Sequence, residues 1–145
     1  MKVFCDTNVL VAAFVGNHPH HQAARPILER IKSRADQGFI AAHSLAESYA
    51  VLTRLPGASQ VPPPIAWQLL SENLIQDFTL VSLSAKEYST TIEAATKFNV
   101  QGGKIYDALL LAAAAKSNAQ RIYTFNLSHF QTIASPNLRA RIVSP

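Results

Sequence analysis

Cysteine is almost missing from this chain of 145 residues; Cys5 is the only one. No disulfide can form within the chain, and a reducing cytoplasm is its expected home. Cys5 itself is expected to pack as a small hydrophobe in the first strand. Long apolar runs are missing too. The longest, Ala108 to Ala115, is far too short to span a bilayer, and its alanines are only weakly hydrophobic, so no membrane segment is expected. The opening Met1-Lys2-Val3-Phe4-Cys5-Asp6 lacks a secretory pattern, because an acid interrupts the apolar run at once. Charge is sparse at 15% of residues against 48% hydrophobic, a balance that excludes a disordered chain and predicts a compact one. Repeats and low-complexity segments are absent, and the length fits a single domain over 1–145.

What charge there is leans basic, with a formal net charge of +4 and an isoelectric point near 9.5. This favours polyanionic partners only mildly. Arg25, Arg30, Lys32 and Arg34 share one helical stretch with Glu29 and Asp36, the pattern of a solvated helix face.

Apolar segments of two kinds alternate along the chain. Residues 2–6, 38–42, 78–83 and 121–125 read as short strands, and Ile142-Val143 as a closing one. Helices are predicted over 7–14, about 20–35, 44–55, about 64–76, 85–98 and 104–118. Thr7 or Asn8 can bond the free N–H groups at the start of the first helix, while Pro26 inside the second suggests a kink or a later start. Ser84-Ala85-Lys86-Glu87 has the capping-box spacing, and Pro64 suits the first turn of the fourth helix. Trp67, Leu69 and Leu70 in that helix read as core, or as a groove or dimer face. The alternation implies an α/β domain, with a central parallel sheet of four to five strands flanked by helices on both faces. Ligands bind such sheets beyond the carboxyl ends of the strands, where Asp6 and the residues after Thr124 fall.

Three of the nine acids stand inside segments that otherwise look like core. Asp6 follows Val3-Phe4-Cys5, Glu47 lies in Leu45 to Leu52, and Asp107 precedes Ala108-Leu109-Leu110-Leu111. Each has an ordinary explanation alone: a helix cap for Asp6, a cation such as Arg54 for Glu47, and dipole compensation or pairing with Lys104 for Asp107. Together they point elsewhere. Burying a carboxylate without a partner is costly, and carboxylates held close repel unless a cation neutralises them. Hard oxygen ligands select magnesium or manganese over zinc, and the adjacent His18, His20 and His21 lack the separated spacing of a zinc site. Capping, exposure or modest substrate contact is expected of those histidines. The glycines of Gln101-Gly102-Gly103 permit close approach of a phosphate to the helix that carries Asp107.

These residues also carry a resemblance. Val3-Phe4-Cys5-Asp6-Thr7-Asn8-Val9-Leu10 looks like the first motif of PIN-domain ribonucleases, Ser44-Leu45-Ala46-Glu47 like their second acid, and Tyr106-Asp107-Ala108-Leu109-Leu110-Leu111 like the third. Thr124-Phe125-Asn126-Leu127-Ser128-His129-Phe130 is similar to the last, a Thr-x-Asp/Asn-x-x-Phe pattern. In order, spacing and length the set most resembles the VapC toxins of bacterial type II toxin–antitoxin pairs.

The resemblance implies a PIN-like fold and magnesium-dependent endoribonuclease activity on RNA. It also implies a homodimer and a small VapB-like antitoxin that blocks the site. Asp6, Glu47, Asp107 and Asn126 would then be the metal-binding and catalytic set, with Lys104 and Thr124 near the substrate. Asn126 departs from the aspartate often found there, so the site carries three negative charges instead of four and a second metal is expected to bind more weakly. Two other classes compete: a PIN-fold RNA-binding or scaffold domain weakened in catalysis by Asn126, and a haloacid-dehalogenase-type phosphatase or phospho-acceptor. The latter expects a second aspartate two residues after the first, where this chain has Asn8.

Overall fold

The computed structural model describes residues 1–145. Five strands, β1 (Lys2–Cys5), β2 (Gln37–Ala41), β3 (Phe78–Val81), β4 (Arg121–Tyr123) and β5 (Ile142–Val143), form one sheet in the order β3-β2-β1-β4-β5. Every pairing is parallel. The chain adds strands outward from β1 on one side and then returns to add β4 and β5 on the other. The topological switch therefore lies between β1 and β4, the crevice where open α/β sheets place ligands.

Helices cover both faces, as expected of a parallel sheet buried on both sides. The period-2 alternation of β1 divides the core. Val3 and Cys5 point to one face, under α1 (Thr7–Phe14), α2 (His21–Lys32), α3 (His43–Leu52) and α4 (Pro63–Leu70). Phe4 points to the other, where α6 (Ile105–Ser117) brings Leu110 and Leu111 and α7 (Leu127–Ile133) brings Phe130. α5 (Ala85–Ala95) packs outside α6, and α8 (Pro136–Arg139) leads into β5. No helix is long and apolar enough to cross a membrane.

Most expected elements form, with instructive differences at their ends. The capping box of α5 is complete, with Ser84 Oγ accepting from Glu87 N at 3.1 Å and Glu87 Oε2 accepting from Ser84 N at 3.3 Å. Pro26 stands inside α2 on its exposed side, and the helix runs through it. α4 stops at Leu70 and a wider π turn, Ser71–Ile75, completes the span expected to 76. β4 ends at Tyr123, two residues earlier than expected, although the Thr124 N–H still donates to Val143 O of β5 at 3.1 Å. Two short helices, α7 and α8, were not expected. Trp67 does not join the core; it is 58% exposed, whereas Leu70 on the same helix is buried.

Candidate functional site

Asp6 leaves the end of β1 and forms the N-cap of α1, yet its side chain makes no capping bond. Its carboxylate turns across the switch point instead, where Thr124 Oγ1 donates to Oδ2 at 2.7 Å. The same threonine oxygen accepts from the Asn126 N–H at 2.9 Å. Thr124 is fully buried, so its expected place near a substrate is not what the fold gives it; it fastens Asp6 to the β4 side of the sheet. Asp6 has 4% of its surface accessible. Burial, reinforced by the charges of Asp107 and Glu47, pushes its carboxyl up to about 7 in spite of the Thr124 bond. Neither Thr7 nor Asn8 caps α1. Thr7 Oγ1 donates to Ser44 Oγ at 3.0 Å, tying α1 to α3, and Asn8 Oδ1 accepts from Phe125 N at 3.3 Å.

Glu47 reaches the same region from the middle of α3. It is less enclosed than its apolar neighbours suggest, because Tyr49, Ala50 and Val51 lie on the open side of the helix and the Glu47 side chain keeps 30% exposure. Arg54 does not pair with it. Its Oε1 is buried and accepts no hydrogen bond. The His43 Nε2 atom lies 2.9 Å away, close enough for charge attraction but off the line of a hydrogen bond. Burial raises the Glu47 carboxyl above the usual range, with His43 and the nearby Thr7 hydroxyl opposing and the Asp107 charge adding to it.

Asp107 enters in the first turn of α6. Two donors converge on its Oδ2: the Asn126 amide nitrogen at 2.9 Å and His129 Nδ1 at 2.5 Å. Oδ1 takes no part in either bond. The amide nitrogen of Asn126 is thus committed to orienting Asp107, which leaves its oxygen for a cation. His129 was not among the expected site residues. The alternative pairing of Asp107 with Lys104 does not form, and that lysine stands exposed just ahead of α6. Gly102 takes the left-handed conformation at φ +57°, and a Cβ at either Gly102 or Gly103 would meet nothing within 4 Å, so the approach to this helix start is open.

Asp6, Glu47 and Asp107 border one cleft of about 330 Å³, together with Thr7, Asn8 and His18. No lysine or arginine lines it, and the only ionic partners of the three acids are imidazoles, His43 and His129. Asp36 shows what a self-sufficient acid looks like here: Arg30 at 2.7 Å, helped by the chain's amino terminus, holds its carboxyl down at about 2. The acids do not form a closed ligand cage, since no three metal-binding side chains are gathered tightly enough. They are spread around an open mouth. Even so, oxygen donors without fixed counter-ions, one of them buried and unbonded, suit a hard divalent ion. Two aromatic stacks flank the region: His43 on Tyr106, with centroids 5.1 Å apart, and His20 on Phe125 at 4.3 Å. His18 contributes its ring Nδ1 as acceptor to His20 N.

Residues 3–135 match the sequence profile of the PIN domain. The chain belongs to the PIN-domain family. Within it, the chain is 30% identical to ribonuclease VapC40 of Mycobacterium tuberculosis over 139 residues, 96% of this chain and 97% of that one. It is 32% identical to ribonuclease VapC27 of the same species over 115 residues, covering 79% and 78% of the two chains. Among solved structures, the VapBC2 complex of Rickettsia felis bound to a promoter DNA fragment includes a chain that superposes with a TM-score of 0.70. The match is 21% identical and covers 100% of this chain and 99% of that one. VapC20 of M. tuberculosis, a toxin that cleaves the sarcin-ricin loop, gives 0.67 at 19% identity, covering 86% and 89%. These structural likenesses concern the fold. The parallel α/β sheet read from the strand and helix order and the PIN-like fold implied by the motifs are the ones found, and the four motifs that carried the resemblance bring their acids and Asn126 to the switch-point end of this PIN domain.

Proposed function

We propose that this PIN domain is a magnesium-dependent endoribonuclease, the toxin of a VapBC-type pair. One observation carries the reading: three carboxylates, from the end of β1, α3 and α6, border a single cleft and none has a lysine or arginine to balance it. Relatives at 30% and 32% identity bear the name ribonuclease, which supplies the reaction class.

The chain's own residues divide the work. Thr124 holds Asp6 against the β4 side, while Asn126 and His129 clamp one oxygen of Asp107 and leave the other to face a ligand. Glu47 offers an unbonded oxygen, and Asp6, Glu47, Asp107 and the Asn126 amide oxygen would hold the ion, magnesium or manganese. Such an ion supplies Lewis acidity at a phosphodiester and lowers the pKa of bound water. With three charges in place of four, one tight metal is expected, and two tight equivalent sites in a titration would contradict that reading of Asn126. Lys104, exposed and unpaired, is placed to meet a backbone phosphate. The Rickettsia complex supports an antitoxin as partner. A homodimer and a cytoplasmic setting complete the reading.

The test is to incubate purified, inhibitor-free protein with total RNA and magnesium and to map new ends. Cleavage is expected to stop in EDTA. Losing a mere outer partner of a metal site costs about 10–100-fold, so Asp107→Asn should lower the rate by at least that much while its melting temperature holds or rises. Undiminished cutting in EDTA, or by Asp107→Asn, overturns the proposal. Magnesium-indifferent RNA binding without cleavage would instead mark a scaffold.

A further inference from the structure

We propose that Tyr106, backed by His43, is a stacking platform for an unpaired nucleobase of the RNA, immediately beside the acidic cleft. This rests on the ribonuclease reading and specifies how the substrate is held. Tyr106 directly precedes Asp107, in the first turn of a helix whose following residues Leu109, Leu110 and Leu111 all turn inward. Its own ring does not: it is 47% exposed. The ring is nonetheless fixed, lying 14° from parallel to the His43 imidazole with centroids 5.1 Å apart. His43 in turn is drawn toward Glu47, with Nε2 at 2.9 Å from Oε1. An ordered aromatic with half its surface in water, attached to two of the three acids, is poised to receive a flat partner.

The charge of the site favours such a partner. A nucleotide brought to this cleft meets three carboxylates, and no lysine or arginine in the lining offers compensating attraction. Beyond what a bound cation and Lys104 would supply, affinity gains from a contact that ignores the sign of charge, and aromatic stacking on a base does so. It also selects. Bases within a duplex are already covered on both faces, so the platform accepts only bases splayed out of a loop, bulge or single strand. It tolerates any of the four bases, because each presents a π-face. Whatever fixes the sequence cut must lie elsewhere on the surface.

The ordinary alternative is that the Tyr106–His43 stack only pins α6 to α3. A binding experiment separates the two. Fluorescein-labelled single-stranded RNA of twelve nucleotides is titrated with wild type, Tyr106→Ala and Tyr106→Phe, with calcium replacing magnesium. The oligonucleotide is then remade with one abasic position at a time. Base–aromatic stacking is worth about 1–3 kcal/mol, so Tyr106→Ala should weaken binding roughly 5- to 150-fold, while Tyr106→Phe stays within about twofold. At one abasic position the wild type should lose the same factor, and there the Ala variant should lose nothing more. The duplex of the same sequence should bind equally to all three proteins. Equal affinity of wild type and Tyr106→Ala overturns the proposal, as does a loss that persists undiminished at every abasic position, which would mean that Tyr106 acts through the fold. Cleavage is scored separately: a platform without cleavage sinks the nuclease reading and spares this one, and cleavage without base coupling does the reverse.

Discussion

At the scale of single residues, the site is a set of acids whose protons matter. Asp6 carries the largest upward shift among them, to about 7, caused first by burial. An unfolded aspartate releases its proton near 3.9, so between those two values the folded chain keeps a proton that the unfolded chain has lost. Raising the pH across that window favours unfolding. In cation-free buffer, stability is expected to fall from about pH 4 to about pH 7 and then level off, with one proton contributing at most about 1.4 kcal/mol per pH unit. Glu47 shifts in the same direction and adds to the slope. Asp36 does not interfere, because its lowered carboxyl gives stability that is lost only as the pH falls below the normal range, through about 2. Urea denaturation in EDTA, repeated with Asp6→Asn, checks this; the variant should show a flatter profile, and an identical one would contradict it. Asp6, Glu47 and Asp107 were readable because a charge within an apolar segment is an anomaly that needs no partner to be noticed. His129 was not, since a lone histidine between Ser128 and Phe130 is unremarkable until α7 folds back onto α6. Thr124 was noticed through its motif, but its burial, and hence its role as a fastener, depends on how β4 meets β1.

At the scale of elements, the sheet leaves little room at its centre. Gly38 of β2 sits beside Phe78 of β3, and a Cβ there would come within 2.6 Å of the Phe78 ring and 2.8 Å of Ile31 in α2. Overpacking of this kind typically costs about 1–3 kcal/mol. Gly38→Ala should therefore lower the unfolding free energy by an amount in that range, read from chemical denaturation; an unchanged midpoint would show that Phe78 moves aside freely. This close approach belongs to the assembled sheet, and the sequence showed only a glycine at a strand start. Elements with local signals were legible: the Ser84–Glu87 box announced α5, and uninterrupted apolar runs announced β1 and α6. The seven residues of α7 and the four of α8 are too short for a helical period to show. The π turn after α4 has no sequence mark at all.

At the scale of the whole molecule, the order of strands does what no local motif does. It brings residues more than a hundred positions apart, Asp6 and Thr124, to one crevice. Alternation of strands and helices foretold a parallel sheet, and the five-strand order decides which ends meet. Outside the crevice, the only tryptophan lies 58% exposed near Ile65, itself 48% exposed, on α4. Sequence alone could not say which face of α4 turns inward, because apolar residues occupy most of its circumference. Self-association through this helix is expected. Light scattering at micromolar concentration should give the mass of two chains, and Trp67→Lys should return the mass of one; a wild type that stays single would remove the dimer from the proposed function.

Cys5 lies in the central strand with 1% of its surface accessible, and burial together with the neighbouring Asp6 charge holds its thiol far above the ordinary range. Only the thiolate attacks an alkylating reagent, so the native molecule is deaf to iodoacetamide until β1 comes away from its neighbours. Because the chain has no other sulfhydryl, any label reports an opening of the strand that presents Asp6. The protein thus carries an internal reporter on the integrity of its own crevice, readable by mass as a single added alkyl group.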